Sequence, residues 1–300
     1  MSRSRHRDAN GIRIHYLTEG EGPPVVLLHG WPQTSHMWRL ITPRLAERFT
    51  VIAPDLRGYG QSDAPDGGYD KRTMAEDVGA LLRGLGHTRV TLIGHDRGAR
   101  IAHRYALDHP DEVERLVLLD IVPTLEVLRR MDVTLANGYW HWFFHLQPEL
   151  PEVLVGDKVG PYLEWFFERW TAPHNALDPA AVEHYVRAFS RPRWLRAGFE
   201  DYRATLTEDG PADEHSAAQG RRLTMPLLAL WGAAGLVDRL PVREIWQQYA
   251  VDVDAEAIPD CGHFLAEEQP QVVAERILAF LQSPPSPRAR NEAATSANRR

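Results

Sequence analysis

The chain has 300 residues, enough for one large domain or one domain carrying an insertion. Its net charge of -7 offers none of the basic surplus that nucleic-acid binding demands, and no apolar run approaches membrane-spanning length. The single cysteine, Cys261, excludes an internal disulfide, and the basic, polar stretch from Met1 to Asn10 lacks the apolar core of a signal peptide. The expectation is a soluble, cytoplasmic protein with no nucleic-acid or membrane partner.

Ile12 to Leu17 alternates as a strand does, and Gly20, Gly22, Pro23 and Pro24 turn it. Val25 to Leu28 is a continuous apolar run, the mark of a strand buried on both faces. His29-Gly30-Trp31-Pro32 follows, readable as a plain Gly-Pro turn or as a loop that aims a backbone N–H inward. Leu40 to Arg48 reads as helical and Phe49 to Ala53 as a strand. The glycine-punctuated loop from Pro54 to Ser62 holds Asp55 and Arg57, both read as structural. Thr73 to Leu85 has apolar residues at helical spacing, closed by Gly86. Val90 to Ile93 is a strand that meets Gly94, and a helical pattern runs from Arg97 through Leu107. Val113 to Leu119 is another strand and ends at Asp120.

Strands alternating with helices of this length predict an α/β fold, a mostly parallel sheet with helices on both faces. From Pro123 to about Arg222 strand character vanishes and aromatics crowd together, from Tyr139 through Phe144 and again from Trp165 through Trp170. That stretch reads as an inserted helical cap. Strands return at Met225 to Trp231 and Ala255 to Ile258, and a last helix spans about Gln269 to Leu281. The expected organisation is core over residues 1–122, cap over 123–222, core again over 223–284, and a disordered tail over 285–300.

The chemistry gathers at Gly94-His95-Asp96-Arg97-Gly98. A Gly-X-nucleophile-X-Gly corner between strand and helix resembles the sharp turn of the α/β-hydrolases, which pushes its central side chain out at the sheet's carboxyl edge. A carboxylate there can attack carbon and form an ester. The plainer reading makes Asp96 an ordinary helix N-cap. An ester needs a base held by an acid. The base is His263 in Asp260-Cys261-Gly262-His263-Phe264, late in the chain as in the Ser-Asp-His order. Many α/β-hydrolases place the acid in a Trp-Gly-X-X-Asp context, but Trp231-Gly232-Ala233-Ala234-Gly235 ends in glycine. Asp120 is therefore assigned to orient His263, with Asp238 as the competitor. The backbone N–H groups of Trp31 and Arg97 are assigned to an oxyanion hole.

Arg97 and Arg100 share one face of the first helical turn, where anions rather than cations suit the dipole. Beside a carboxylate nucleophile they suggest a second anion to be bound; the alternative is a pair of surface salt bridges. His141 and His145 have metal-ligand spacing on a helix but no acidic partner in the zincin pattern. No metal or organic cofactor is called for.

The run Gly94 to Arg100, with Asp120, Tyr139-Trp140-His141-Trp142 and His263, resembles the fluoroacetate (haloacetate) dehalogenases of the α/β-hydrolase superfamily, from about Asn10 to Leu281. The resemblance implies that Arg97 and Arg100 hold a substrate carboxylate. It implies that His141, Trp142 and the cap tyrosine Tyr202 hold the departing halide, that Trp170 lines the pocket, and that the protein is a homodimer. The expected reaction is hydrolysis of a 2-haloacetate, a small-molecule haloacid, to glycolate and halide. An epoxide hydrolase shares the fold and the Asp nucleophile but needs two cap tyrosines and no paired arginines. A haloalkane dehalogenase typically has Trp where this chain has Arg97. A non-catalytic binding homologue would more readily have lost Asp96 or His263.

Overall fold

A computed structural model describes residues 2–284; the tail expected over 285–300 lies outside them. Eight strands form one sheet: β1 (Arg3–Ala9), β2 (Ile12–Glu19), β3 (Pro24–Leu28), β4 (Thr50–Pro54), β5 (Val90–His95), β6 (Val113–Leu119), β7 (Leu227–Gly232) and β8 (Val253–Ile258). Their spatial order is β1-β2-β4-β3-β5-β6-β7-β8. The first two pairings, β1 with β2 and β2 with β4, are antiparallel, and all the others are parallel. Helices α1 (Thr42–Ala46), α2 (Lys71–Gly84) and α3 (Asp96–Asp108) connect the first strands. Eight helices then intervene between β6 and β7: α4 (Thr124–Arg129), α5 (Val133–Gly138), α6 (Trp140–His145), α7 (Leu150–Val155), α8 (Val159–Trp170), α9 (Pro179–Phe189), α10 (Pro192–Ala204) and α11 (Gly210–Ala218). The sheet region closes with α12 (Val242–Tyr249), α13 (Leu265–Glu268) and α14 (Pro270–Gln282).

The central strands are apolar because both their faces are covered. Val25, Val26, Leu27, Leu28, Leu92 and Ile93 expose nothing. Each such side chain contributes about 2 kcal/mol by leaving water. Register aligns the strand ends: Leu28 pairs with Gly94, His95 with Leu119, and Leu119 with Leu230. The parallel strands therefore release their next residues at one edge of the sheet. Those residues are Trp31 after β3, Asp96 after β5, Asp120 after β6, Gly235 after β7 and His263 after β8.

One sequence expectation needs correction, and one strand leaves no signal in the sequence. The segment from Leu40 to Arg48 is not one helix: a 3-10 turn covers Ser35–Leu40, and only Thr42–Ala46 is α-helical. The segment Arg3–Ala9 forms an edge strand. Its side chains are exposed up to Ala9, so it shows no apolar alternation, and its backbone ladder with β2 alone defines it.

Candidate active site

The corner after β5 is tight. Asp96 has φ of 45°, in the left-handed region that non-glycine residues seldom occupy. The backbone there can turn only because α3 starts flush against β3. A Cβ on Gly98 would run into the carbonyl oxygens of His29 and Leu28. Asp96 is an N-terminal residue of α3, but it caps nothing. Its Oδ2 instead accepts the Trp31 amide N–H at 3.1 Å, across from the neighbouring strand. The Arg97 amide is among the first N–H groups of the helix, which have no partner one turn back. Of the two donors expected for the oxyanion hole, the Trp31 amide thus meets the carboxylate directly, and the Arg97 amide follows it at the start of the helix.

Burial raises the Asp96 carboxyl, but the positive field of His263, His95, Arg97 and Arg100 outweighs it and holds the group below the ordinary range. An ionised, strained and nearly unpaired carboxylate is suited to nucleophilic attack.

Behind it, His263 Nδ1 lies 2.6 Å from Asp120 Oδ2, and Asp120 Oδ1 accepts the Gly232 amide at 3.1 Å. Because a carboxylate only accepts, Nδ1 carries the proton, and Nε2 has no partner in the structure. Burial lowers the imidazole, yet the hydrogen bond and charge of Asp120, with Asp96 beyond, carry it above its ordinary value. Asp238, the rival acid, is exposed and accepts the Trp231 indole N–H at 2.7 Å. The glycine at 235 lies beside this acid, a Cβ there falling at an ordinary contact distance of 3.7 Å from Asp120 Oδ1. The acid missing from β7's loop is thus replaced in space by a carboxylate from β6.

A cavity of about 270 Å³ joins these groups, its wall including Asp96, Asp120, His263, Arg100, Tyr139, His141, Trp142 and Trp170. A larger groove of about 440 Å³ lies along α8 and α9 and is lined mainly by apolar and acidic residues. The chemistry lies in the smaller space. His141 stacks on Trp31 with centroids 5.9 Å apart and meets Tyr202 at 5.6 Å. Trp142 lies 6.2 Å from Tyr202, and Trp170 stands edge-on to His263 at 5.0 Å. Burial, then His145, pushes His141 well below the imidazole range, so it is neutral and donates one N–H. Burial and the Asp96 charge push Tyr202 well above the phenol range, so it keeps its proton. His145 is held at 2.6 Å by the Tyr162 hydroxyl, and no metal-binding group of three His, Cys, Asp or Glu occurs among the described residues.

The two arginines expected to hold a substrate carboxylate stand in different surroundings. The Arg97 fork is already closed: Nε donates to Asp201 Oδ1 at 2.9 Å, and Nη2 donates to Oδ1 and to the Asp201 carbonyl, both at 2.6 Å. Only its Nη1 is unpartnered, and Arg97 is not on the cavity wall. The physical reason is charge matching, since a guanidinium with no exposure requires an anion and Asp201 is within reach. Arg100 is different. It donates from Nη1 to the Val122 carbonyl at 3.1 Å and to Thr124 Oγ1 at 2.8 Å, and its Nε is unpartnered. No carboxylate comes within ion-pair distance of it among the described residues. Both guanidiniums lie over Trp142, at 5.9 Å for Arg97 and 4.9 Å for Arg100. Asp201 was not legible in the sequence, where it is one acid among many; its only signal is adjacency to Tyr202.

Asp55 and Arg57 are structural, as expected. Asp55 accepts from the amides of Ser35 and Gln61, each at 2.8 Å, and pairs with His15 at 2.8 Å, while Arg57 pairs with Asp77 at 2.6 Å.

The family described as alpha/beta hydrolase fold matches residues 23–270. The chain belongs to the α/β-hydrolase family. It is 42% identical over 275 residues to the soluble epoxide hydrolase of Corynebacterium sp. (strain C12), covering 90% of this chain and 94% of that one. It is 37% identical over 282 residues to the fluoroacetate dehalogenase of Burkholderia sp, covering 91% and 92%. The solved structure of the epoxide hydrolase CorEH without ligand superimposes with a TM-score of 0.87 at 40% identity, over 93% of this chain and 98% of that one. This α/β-hydrolase is thus similar to enzymes of two substrate classes.

Proposed function

We propose that this α/β-hydrolase removes halide from 2-haloacetates, fluoroacetate, chloroacetate and bromoacetate among them, through an aspartyl ester. The observation that carries the reading is Arg100: a buried guanidinium on the cavity wall, next to the nucleophile, with only neutral acceptors. A buried charge without an ionic partner is costly, and a substrate carboxylate supplies one. Arg97, buried behind that wall with its fork on Asp201, adds only its positive charge to the field at Asp96.

With the carboxylate held there, Asp96 Oδ1 attacks the adjacent carbon from the side opposite the halogen, and the C–O bond forms as the carbon–halogen bond breaks. The halide departs toward His141, Trp142 and Tyr202, whose N–H and O–H groups are the donors it needs. His263 Nε2 then takes a proton from water, and the hydroxide adds to the Asp96 carbonyl carbon. Oδ2, already facing the Trp31 amide, carries the oxyanion; a donor of this kind is worth about 3 kcal/mol. Collapse breaks the Cγ–Oδ1 bond, the His263 imidazolium gives its proton to the departing glycolate oxygen, and the carboxylate is restored with the water's oxygen in place of Oδ1, the remaining proton passing to solvent. No step calls for a metal or an organic cofactor.

A second reading, epoxide hydrolysis, is favoured by the 42% identity to the Corynebacterium enzyme. It would use the same Asp96 and His263, with Tyr139 on the cavity wall and Tyr202 as the phenols that receive the epoxide oxygen. The test offers purified protein chloroacetate, fluoroacetate and styrene oxide and measures halide and diol. Halide release from the haloacids supports the first reading. Diol without halide replaces it by the second.

A further inference from the structure

The exposed part of the wall around the Asp96 cavity comes from two sides, the helical insertion and the sheet region. The insertion supplies Arg169, in the last turn of α8, and the sheet region supplies Arg239, in the 3-10 turn Val237–Arg239 that follows β7. Both are exposed, and the only other ionisable group among the exposed and half-exposed residues of that wall is His263. Among the described residues, no carboxylate comes within the 4.0 Å of an ion pair to either guanidinium. Exposed arginines elsewhere do have such partners: Arg187 has Glu183 at 2.8 Å, and Arg193 has Asp66 at 2.9 Å. Arg169 lies over the neutral Trp165 ring at 5.8 Å. The acids next to the two arginines in sequence face elsewhere. Glu168 lines the groove along α8 and α9, and Asp238 accepts from the Trp231 indole; neither belongs to the wall of the Asp96 cavity.

A small anion approaching this chain meets a net charge of -7, which repels it. Deeper in the cavity, the carboxylates of Asp96 and Asp120 are set against Arg100 and His263. The unpaired positive charge therefore stands at the rim, where the low-dielectric walls of a cleft focus its field. We propose that Arg169 and Arg239 form an outer capture site for the carboxylate of a haloacid, ahead of Arg100, and so help to select anionic over neutral substrates. The inference deepens the haloacid reading and rests on it. An epoxide carries no charge and would gain nothing from such a rim. Arg169 also suits the C-terminal end of a helix dipole, but that role would appear in Tm and not in KM.

The test is a charge series made at both positions together: Arg169→Lys with Arg239→Lys, then the corresponding Gln pair and Glu pair. Halide release from chloroacetate is measured at low ionic strength, and thermal unfolding shows that each variant is folded. A unit charge several ångströms from the carboxylate in screened water is worth about twofold, so the Gln pair should lower kcat/KM about fourfold and the Glu pair about tenfold or more. In each case kcat should change much less. The Lys pair keeps the charge and should stay within about twofold of wild type, because a long-range field needs charge and not a planar fork. Raising the ionic strength with sodium sulfate, which adds no halide, should erase most of the differences between the proteins. A structural role would follow side-chain shape and would not fade with salt. Should the Glu pair not fold, Arg239→Glu alone is compared with Arg239→Lys. Equal kcat/KM across the series overturns the inference, as does a loss in the Lys pair as large as that in the Glu pair. If the wild-type protein releases no halide, the haloacid reading has failed and the inference falls with it; halide release with a flat series fails the inference alone.

Discussion

Replacing Arg100 by Gln tests the proposed function most directly. The side chain donates to the Val122 carbonyl and Thr124 Oγ1 and lies over Trp142, all neutral groups. Two effects on stability oppose each other. Those hydrogen bonds are lost, at about 1 kcal/mol each. The cost of keeping a buried cation without an ionic partner, several kcal/mol, is removed with it. Gln can retain one of the bonds, so the net change should stay within about 2 kcal/mol, less than about 8 °C in Tm. Substrate binding has no such compensation. Loss of a charge-assisted contact to a carboxylate, about 1.5–3 kcal/mol, should raise the KM for chloroacetate about 10- to 150-fold. Arg100→Lys should fall between, since a point charge replaces a planar fork. Steady-state kinetics on haloacetates, with differential scanning for stability, decide it. An unchanged KM would refute the anion-binding argument, and a collapse of Tm would show that Arg100 is there for the fold.

Removing the base while keeping the nucleophile, by His263→Ala, should stop turnover after a single halide is released per chain. Mass spectrometry should then find a carboxymethyl group esterified to the Asp96 side chain, and an unmodified mass after halide release would exclude the ester route. The acid limb of kcat should lie above pH 6.5, because His263 must be neutral to act and Asp120 raises its proton affinity; in Asp120→Asn the limb should move down, and an unmoved limb would detach Asp120 from the base. The same shift has a stability consequence of definite sign: the His263 contribution is full below the unfolded histidine pKa and is lost as pH rises through the raised folded value, so Asp120→Asn should flatten the dependence of Tm on pH between neutral and mildly alkaline conditions. Asp55, held down at about 2 against burial by His15 and the Gln61 amide, works in the opposite sense. Its contribution of about 2 kcal/mol is present above the ordinary aspartate pKa and should disappear as pH falls from about 4 toward 2, so Asp55→Asn should lower stability at pH 7 but not at pH 2, by chemical denaturation. Gly30→Ala would place a Cβ 2.6 Å from the Asp96 Cβ and 3.0 Å from His95 Nδ1; the loop should yield at the expense of the nucleophile's alignment, with kcat falling much more than Tm.

Much of this protein was determined by sequence alone, because local rules fix it. Apolar runs bounded by turn residues and alternating with helical patterns read as buried parallel strands, and the Gly94–Gly98 pattern marked Asp96 as a corner residue, with an ordinary N-cap as the plainer alternative. The chain order of Asp96, Asp120 and His263 followed from strands that all end at one edge. Tertiary structure decided what depends on distance between segments remote in sequence. It gave His263 to Asp120 rather than to Asp238, which it left at the surface bonded to Trp231. It closed the Arg97 fork on Asp201, 104 positions away, and left Arg100 without an anion. It also made Arg3–Ala9 a strand, since a polar edge strand is held by its neighbour's backbone and leaves no periodic trace in its side chains. Spacing along a chain says which face a side chain points from. Only the packed structure says which charge it meets there.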